Sequence, residues 1–221
     1  MDALPTTLLQ FADLVQEHPT WELPVLLATL STSAPTLHRQ CQRYLGISAK
    51  QWLLSYRMRS WRIALQEQGD VLESALQHFG ALSSAYRHAA HALGMSPASL
   101  RRGGAGAWLA YGIAPCELGN LVVAQSEKGV SWVCIQGEAE RFTTELCETY
   151  PHAHLVRMDE RFARWIAALL AERPKLALAK ELPEPMLLAV LQQHLLAFVL
   201  RQPIPWRSDA APSIRVAHAH A

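Results

Sequence analysis

The chain contains an internal repeat with an offset of 48 residues, and this repeat limits the possible folds more than any other feature. At that offset Leu45-Gly46-Ile47-Ser48 aligns with Leu93-Gly94-Met95-Ser96. The same offset aligns further pairs of similar character: Thr36 with Ser84, Arg39 with Arg87, Cys41 with Ala89, and Trp52 with Leu100. A self-match of this kind marks a duplicated structural unit. The sequence therefore predicts two copies of one supersecondary element within residues 1–102.

The second copy, Leu76–Arg102, has the pattern of a helix-turn-helix element. Apolar residues recur at helical spacing on both sides of Phe79-Gly80, which predicts a short helix, a tight turn and a second helix. Away from its apolar side, the second helix presents Ser84, Arg87 and His88. A helix that buries one face and offers hydroxyl, guanidinium and imidazole groups on the other suits the major groove of DNA.

The distribution of charge agrees with a nucleic-acid partner. The whole chain has a net charge of only +1, but residues 35–102 hold nine bases and three acids, a net charge of +6. Residues 1–34 carry −4 and residues 103–221 carry −1. A net positive charge is thus found only in the duplicated helices and the helix expected between them at 49–68, which favours a phosphate backbone as partner. The alternative is a basic face that is merely solvated.

After the second copy the pattern changes. Gly103–Gly106 predicts a flexible linker, and runs rich in Val, Ile, Leu and Trp predict three antiparallel strands at 109–114, 121–126 and 130–136. Helices are expected at 138–150, 159–172 and 186–200, with a loop at 151–157 and an edge strand at 176–182. The predicted fold class is mainly α with a smaller α+β domain. The predicted domains are an all-α double helix-turn-helix domain at 1–102, a small sheet domain at 107–201 and a disordered tail at 202–221.

Several classes of protein are excluded by what the sequence lacks. No apolar run reaches the length of a membrane span, so no membrane is expected as a partner. Four cysteines without C-x-x-C spacing indicate reduced thiols in the cytoplasm. His152-x-His154 and His218-x-His220 have no further ligands at suitable spacing, so neither a metal nor another cofactor is predicted.

Two stretches resemble known families. LHRQCQRYLGISAKQWLLSYRMRSWRIAL and SSAYRHAAHALGMSPASLRR are similar to the two helix-turn-helix units of the AraC/XylS DNA-binding domain, in the form found in Ada-type adaptive-response regulators. The stretch YGIAPCELGNLVVAQSEKGVSWVCI resembles the ribonuclease-H-like half of the O6-methylguanine-DNA methyltransferases. That resemblance implies a ribonuclease-H-like three-stranded antiparallel sheet with helices for the second domain.

Both methyl-acceptor sites of the family are expected to be absent. The family's four-cysteine zinc domain has no counterpart in the sequence, and its Pro-Cys-His-Arg motif does not occur. Pro115-Cys116 is instead followed by Glu117-Leu118, and neither neighbour would lower the thiol pKa. We therefore expect no catalytic residue.

The resemblance implies a sequence-specific DNA-binding transcription regulator that is not an enzyme. Arg39 and Arg87 are the expected principal contacts to bases in double-stranded DNA. The secondary contacts are expected at Thr36, His38, Gln42, Ser84, Tyr86 and His88, and the phosphate contacts at Arg43, Arg57, Arg101 and Arg102. Further candidate partners are RNA polymerase and a protein that covers the apolar helix Met186–Leu200. The alternative function is an accessory or incomplete methyltransferase in alkylation repair, whose active site comes from another chain.

Overall fold

The first copy of the repeat follows one amino-terminal helix. The structure is a computed structural model and describes residues 3–67, 70–79, 82–136, 139–172 and 179–201. Helix α1 (Thr6–Glu17) precedes the copy, α2 (Leu23–Thr29) is its supporting helix, and α3 (Ala34–Gln40) is its second helix. α3 continues as a π-helical turn, Cys41–Leu45, a feature frequent at functional sites. The long helix α4 (Ala49–Gln66) follows.

The second copy repeats this arrangement with α5 (Val71–Phe79), α6 (Leu82–Leu93) and α7 (Pro97–Arg101). Gly46 and Gly94 both adopt the left-handed conformation, with φ of 69° and 66°. Ser48 and Ser96 then cap α4 and α7, each by accepting a hydrogen bond from the amide three residues later. Equal backbone conformations and equal caps at the aligned positions support the duplication predicted from the sequence.

Helix α4 connects the two copies by packing one half of its length against each. Trp52, near its beginning, lies in the same core cluster as Leu37 of α3. Trp61, two and a half turns later, lies in a second cluster with Ala85 of α6. Both tryptophans are fully buried. The two second helices, α3 and α6, are therefore held at opposite ends of one rigid connector.

The carboxy-terminal part is a four-stranded mixed sheet with helices. Its strands are β1 (Trp108–Cys116), β2 (Gly119–Ser126), β3 (Gly129–Gln136) and β4 (His154–Arg157), in the order β3-β2-β1-β4. The first three are antiparallel, as predicted. The loop predicted at 151–157 is wrong, because residues 154–157 pair in parallel with Trp108–Tyr111 at the sheet edge. Helices α8 (Ala139–Thr149), α9 (Asp159–Glu172) and α10 (Glu184–Arg201) complete the part.

Two further predictions for this part have different outcomes. The edge strand predicted at 176–182 is wrong where the structure describes it, since residues 179–181 form a single 3₁₀ turn. Residues 176–178 and the tail predicted at 202–221 lie outside the described residues.

The segment Gly103–Gly106, predicted as a flexible linker, is a hydrogen-bonded turn. The Gly103 and Gly104 amides donate to carbonyls at the end of α7, and the Gly103 carbonyl accepts from the His152 amide at 2.9 Å. Gly104 is buried. Both hydrophobic cores contain residues from before and after this turn. The helices and the sheet therefore pack as one body.

The apolar helix α10 lies inside this body. Its residues 186–192 are all buried, and the helix packs against α4 and β3. Trp52 Nε1 donates to the Met186 carbonyl at 3.0 Å and ties the start of α10 to α4. The prediction that Met186–Leu200 offers an apolar face to a protein partner is corrected, because the chain itself covers that face.

Candidate DNA interface

The outward face of α3 carries the side chains predicted to contact bases in the first copy. Leu37 and Cys41 are buried and hold α3 against the core. The opposite face consists of four exposed polar side chains at helical spacing: His38, Arg39, Gln42 and Arg43. No Asp or Glu occurs between Glu22 and Glu67. Guanidinium and amide groups on such a face can pair bidentately with guanine and adenine in a major groove.

A short chain of polar groups positions Arg39 on this face. The Ser33 hydroxyl caps α3 by accepting from the Thr36 amide at 3.3 Å, and the Ser33 and Thr36 hydroxyl oxygens lie 2.8 Å apart. Arg39 Nη2 donates to Thr36 Oγ1 at 3.5 Å. Thr36 thus links the helix cap to the guanidinium that is expected to read a base.

In the second copy, the side chains expected to contact DNA from α6 differ in how exposed they are. Ala85 and Ala89 are fully buried, Tyr86 is 50% exposed and His88 is half-buried. The Tyr86 ring meets Trp61 edge-on, with centroids 6.4 Å apart. The side chains of Ser84 and Arg87 lie outside the described part of the structure, although their backbone belongs to α6.

The carboxy-terminal end of α6 is held by the β2–β3 hairpin. His91 Nδ1 donates to the Lys128 carbonyl at 2.8 Å, and Ser126 Oγ donates to the Gly94 carbonyl. Gly129 packs so closely that a Cβ there would lie 2.0 Å from the His91 carbonyl oxygen. Recognition helices contact bases mainly through their amino-terminal residues. Because the hairpin contacts only the carboxy-terminal end of α6, it leaves the amino-terminal half uncovered.

The expected phosphate contacts divide into two groups. Arg43, Arg101 and Arg102 are exposed and available to a phosphate. Arg57 is only 8% exposed, and its guanidinium donates to the carbonyls of Pro19 and Trp21 at 2.9 and 2.6 Å. Burial lowers the pKa of Arg57, and the carboxylate of Glu22, 3.6 Å away, opposes that shift. The phosphate contact expected for Arg57 is therefore corrected to a structural link between α4 and the turn before α2.

The other two arginines of α4 also point into the protein. Arg59 Nη1 donates to the Val133 carbonyl of β3 at 3.2 Å. The Arg62 guanidinium lies 4.3 Å from the centre of the Trp132 ring, a cation–π contact. Burial, followed by the charge of Arg62, lowers the pKa of Arg59. Half of the bases between residues 39 and 62 thus join α4 to the protein interior instead of facing solvent.

Burial raises the pKa of three of the four cysteines and so keeps them in the thiol form. Cys41 is fully buried, and burial raises its pKa to about 12. Burial also raises the pKa of Cys134 and Cys147. Cys116 is half-buried at the end of β1 and pairs with Gly119. A thiol must ionise to act as a nucleophile, so the three shifted cysteines are poor nucleophiles.

The described ranges offer neither a metal site nor a helix that could span a membrane. No group of three His, Cys, Asp or Glu side chains there could hold a metal ion. His154 stacks on the exposed Trp108 at 4.5 Å between centroids, and His218-x-His220 lies outside those ranges. None of the helices described is both long and apolar enough to cross a membrane.

Sequence reasoning missed two buried side chains that contact the ends of α3 and α6. These are Gln192 and His194 of α10, each only 4% exposed. Their signal was a polar triplet, Gln192-Gln193-His194, within an otherwise apolar helix. An apolar pattern alone does not say which neighbours such polar groups will find.

Comparison with known proteins agrees with the geometry of the duplicated unit. Residues 26–103 match the model of a family described as a helix-turn-helix domain. The chain is 31% identical over 155 residues to the bifunctional transcriptional activator/DNA repair enzyme Ada of Escherichia coli K12, covering 68% of this chain and 44% of that protein. It is 30% identical over 156 residues to the regulatory protein ada of Salmonella typhimurium, with the same coverage of both chains.

The matches cover only part of the chain and part of each relative. The chain spans less than half the length of the curated relatives it matches. The 155 matched residues exceed the 78 of the helix-turn-helix model, so the similarity continues beyond that domain. No solved structure matches the chain at a comparable level of significance. Residues 26–103 thus match a helix-turn-helix domain, in agreement with the AraC-type resemblance, and over about two thirds of its length the chain is similar to Ada proteins.

Proposed function

We propose that this protein is a sequence-specific DNA-binding transcription regulator that reads bases chiefly through α3. The observation that carries the proposal is the exposed face of α3 and its π-helical continuation, where Arg39 and Gln42 lie opposite the buried Leu37 and Cys41. Both can make bidentate contacts to base edges, which is the usual source of discrimination in a major groove. His38 and Thr36 would add secondary contacts.

The second copy would add contacts from the amino-terminal half of α6. The contacts expected there are Ser84, Tyr86 and Arg87, which align with Thr36, His38 and Arg39, and in addition His88. Phosphates would be held by Arg43, Arg101 and Arg102, whose charged groups are exposed. Phosphate contacts position a protein on DNA without selecting a sequence. RNA polymerase is a further proposed partner of a regulator of this kind.

The experiment separates base reading from phosphate binding. The probe is a duplex selected by the full chain from a random-sequence library, and affinity is measured by fluorescence anisotropy at several salt concentrations. Arg39→Ala should cost about 1–3 kcal/mol on this duplex and relax the preference at one base position. Arg101→Ala should weaken binding to all duplexes alike and reduce the salt slope by about one.

A matched control is Arg164→Ala. Arg164 is exposed on α9 and belongs to the carboxy-terminal part, so its removal changes net charge without touching either recognition helix. It should leave both affinity and base preference nearly unchanged. Failure of the full chain to enrich any sequence would contradict the proposed function. Equal losses on all sequences for Arg39→Ala and Arg101→Ala would contradict the base-reading role of Arg39.

We further propose that the described cysteines accept no methyl group from DNA. For Cys41, Cys134 and Cys147 the proposal is supported by their raised pKa values, because methyl transfer to sulfur requires a thiolate. For Cys116 it is supported by the sequence Pro115-Cys116-Glu117-Leu118, which lacks the His-Arg pair of the family's methyl-acceptor motif. Incubation with a duplex that contains O6-methylguanine, followed by intact-mass measurement, should show no added methyl.

The second candidate function is repair chemistry, as an accessory or incomplete methyltransferase completed by another chain. It is favoured by the name of one relative, which describes that relative as a DNA repair enzyme as well as an activator. A stoichiometric gain of one methyl in the mass experiment would favour this second function over the regulator alone.

A further inference from the structure

Three consecutive polar residues interrupt the apolar helix α10. Gln192 and His194 are each 4% exposed, and Gln193 between them is half-buried. Their neighbours along the helix, Leu191 and Leu195, are fully buried core residues. A polar group is costly to bury unless it makes hydrogen bonds, so the partners of this triplet are informative.

Each residue of the triplet bonds to a different helix of the double helix-turn-helix. Gln192 Nε2 donates to the Ala92 carbonyl at 2.7 Å, near the end of α6. Gln193 Nε2 donates to Ser55 Oγ of α4 at 2.7 Å. His194 Nε2 donates to the Leu45 carbonyl at 2.6 Å, at the end of the π-helical turn that continues α3. A carbonyl oxygen can only accept, which assigns the proton to Nε2 of His194.

The geometry of a helix places α10 between the two recognition helices. Successive side chains on an α-helix are about 100° apart, so residues two positions apart point to nearly opposite sides. Gln192 therefore reaches α6 on one side while His194 reaches α3 on the other. Gln193 points between them to the connector α4.

The bonds are made to nearly corresponding places in the two copies, one residue apart in the alignment. Leu45 precedes Gly46 directly, and Ala92 lies two residues before the aligned Gly94. The last four carbonyls of a helix have no partner within the helix, so a donor from outside fixes where that end lies. Here both outside donors belong to one rigid element. The ends of α3 and α6 are therefore held relative to each other as well as to α4.

We propose that Gln192 and His194 are positioning residues that set the distance and angle between α3 and α6, and hence the spacing of the two DNA half-sites that the protein accepts. This inference rests on the proposed function. Half-site spacing is a geometric property of the protein, because two recognition helices must enter successive major grooves at once. α4 packs against both recognition helices, and α10 holds their carboxy-terminal ends.

The experiment compares duplexes that differ only in spacing. The probes are a duplex selected by the full chain from random sequence and the same duplex with two base pairs inserted between its half-sites. The wild-type chain should bind the inserted duplex at least about tenfold more weakly, since one half-site is then out of place. The variant Gln192→Leu/His194→Phe keeps side-chain volume without the two donors, and this ratio should fall to about threefold or less.

The matched control is Gln193→Leu. It removes a hydrogen bond of the same length from the same helix, but one made to the connector rather than to a recognition helix. It should keep the tenfold discrimination. Circular dichroism melting reports whether each variant is folded, and the single variants Gln192→Leu and His194→Phe are measured if the double variant does not fold. Each single variant should reduce the ratio part of the way.

Three results would overturn the inference. The first is a folded variant that lacks one or both donors and still binds the inserted duplex as weakly, relative to the selected one, as the wild type does. The second is a Gln193→Leu variant whose affinity ratio falls as far as that of the double variant. The third is a selected site that contains only one half-site. Failure of the wild-type chain to select any sequence would instead refute the proposed function itself, so the two failures are distinguishable.

Discussion

Gly129→Ala should loosen the grip of the β2–β3 hairpin on the end of α6. A Cβ at position 129 would lie 2.0, 2.6 and 2.7 Å from the carbonyl oxygen, carbonyl carbon and Cα of His91. Carbon and oxygen atoms without a bond normally stay about 3.3 Å apart, so hairpin and helix must separate by about 1.3 Å. All three atoms belong to the backbone, and no rotation of a side chain relieves the overlap.

The cost follows from what this separation breaks. Overpacking of a well-packed site costs about 1–3 kcal/mol. A shift of this size also stretches the His91–Lys128 hydrogen bond from 2.8 Å to beyond hydrogen-bonding distance, which adds about 1 kcal/mol. The free energy of unfolding should therefore fall by about 2–4 kcal/mol. In a chain of 221 residues that corresponds to a drop in melting temperature of about 4–16 °C.

The assay is urea unfolding followed by tryptophan fluorescence, with Gly106→Ala as the reference. Gly106 also has a positive φ, +75°, but nothing lies within 4 Å of a Cβ placed there. Its substitution should cost only the backbone strain, about 1 kcal/mol. If Gly129→Ala costs no more than Gly106→Ala, the hairpin does not pack on α6 and the description of one continuous body is refuted.

Two further predictions concern buried groups. Arg57→Ala should lower stability by about 2 kcal/mol or more by removing a donor to the Pro19 and Trp21 carbonyls, while the salt slope of DNA binding stays unchanged; a reduced slope would restore Arg57 as a phosphate contact. The Cys41 thiol ionises near 9.0 when exposed and near 12 in the folded chain, so the unfolded state loses its proton first and stability should fall as pH rises through that window. Cys41→Ala should make the decline in the urea midpoint between pH 9 and pH 11 shallower, and an unchanged decline would contradict burial as the cause.

The duplicated unit was predictable because its signals are local. A left-handed glycine followed by a capping serine needs only a few residues to form, and Gly46-Ile47-Ser48 and Gly94-Met95-Ser96 carry it in full. The exposed face of α3 follows from the same local periodicity. The sequence alone therefore predicts the repeat and the polar face of its second helix, while the glycine conformations and the serine caps are findings of the structure.

The fate of the remaining groups depended on long-range contacts that local patterns do not encode. β4 has four residues and becomes a strand only by pairing with β1 more than 40 residues earlier. Arg57 looks like a surface base until the carbonyls of Pro19 and Trp21 are found beside it. The apolar pattern of α10 indicates burial but not the identity of the surface that covers it.

The shared cores change how the sheet would be maintained in evolution. Leu37 and Trp52 of the helices lie in one cluster with Val123 of the sheet and Leu191 of α10. Deleting the sheet would expose an apolar surface that belongs to the DNA-facing helices, at roughly 25 cal/mol for each Å² uncovered. Selection on the helices alone would thus preserve the sheet, whatever chemistry it does or does not perform. A domain of this kind can be retained because it stabilises its neighbour, even without an activity of its own.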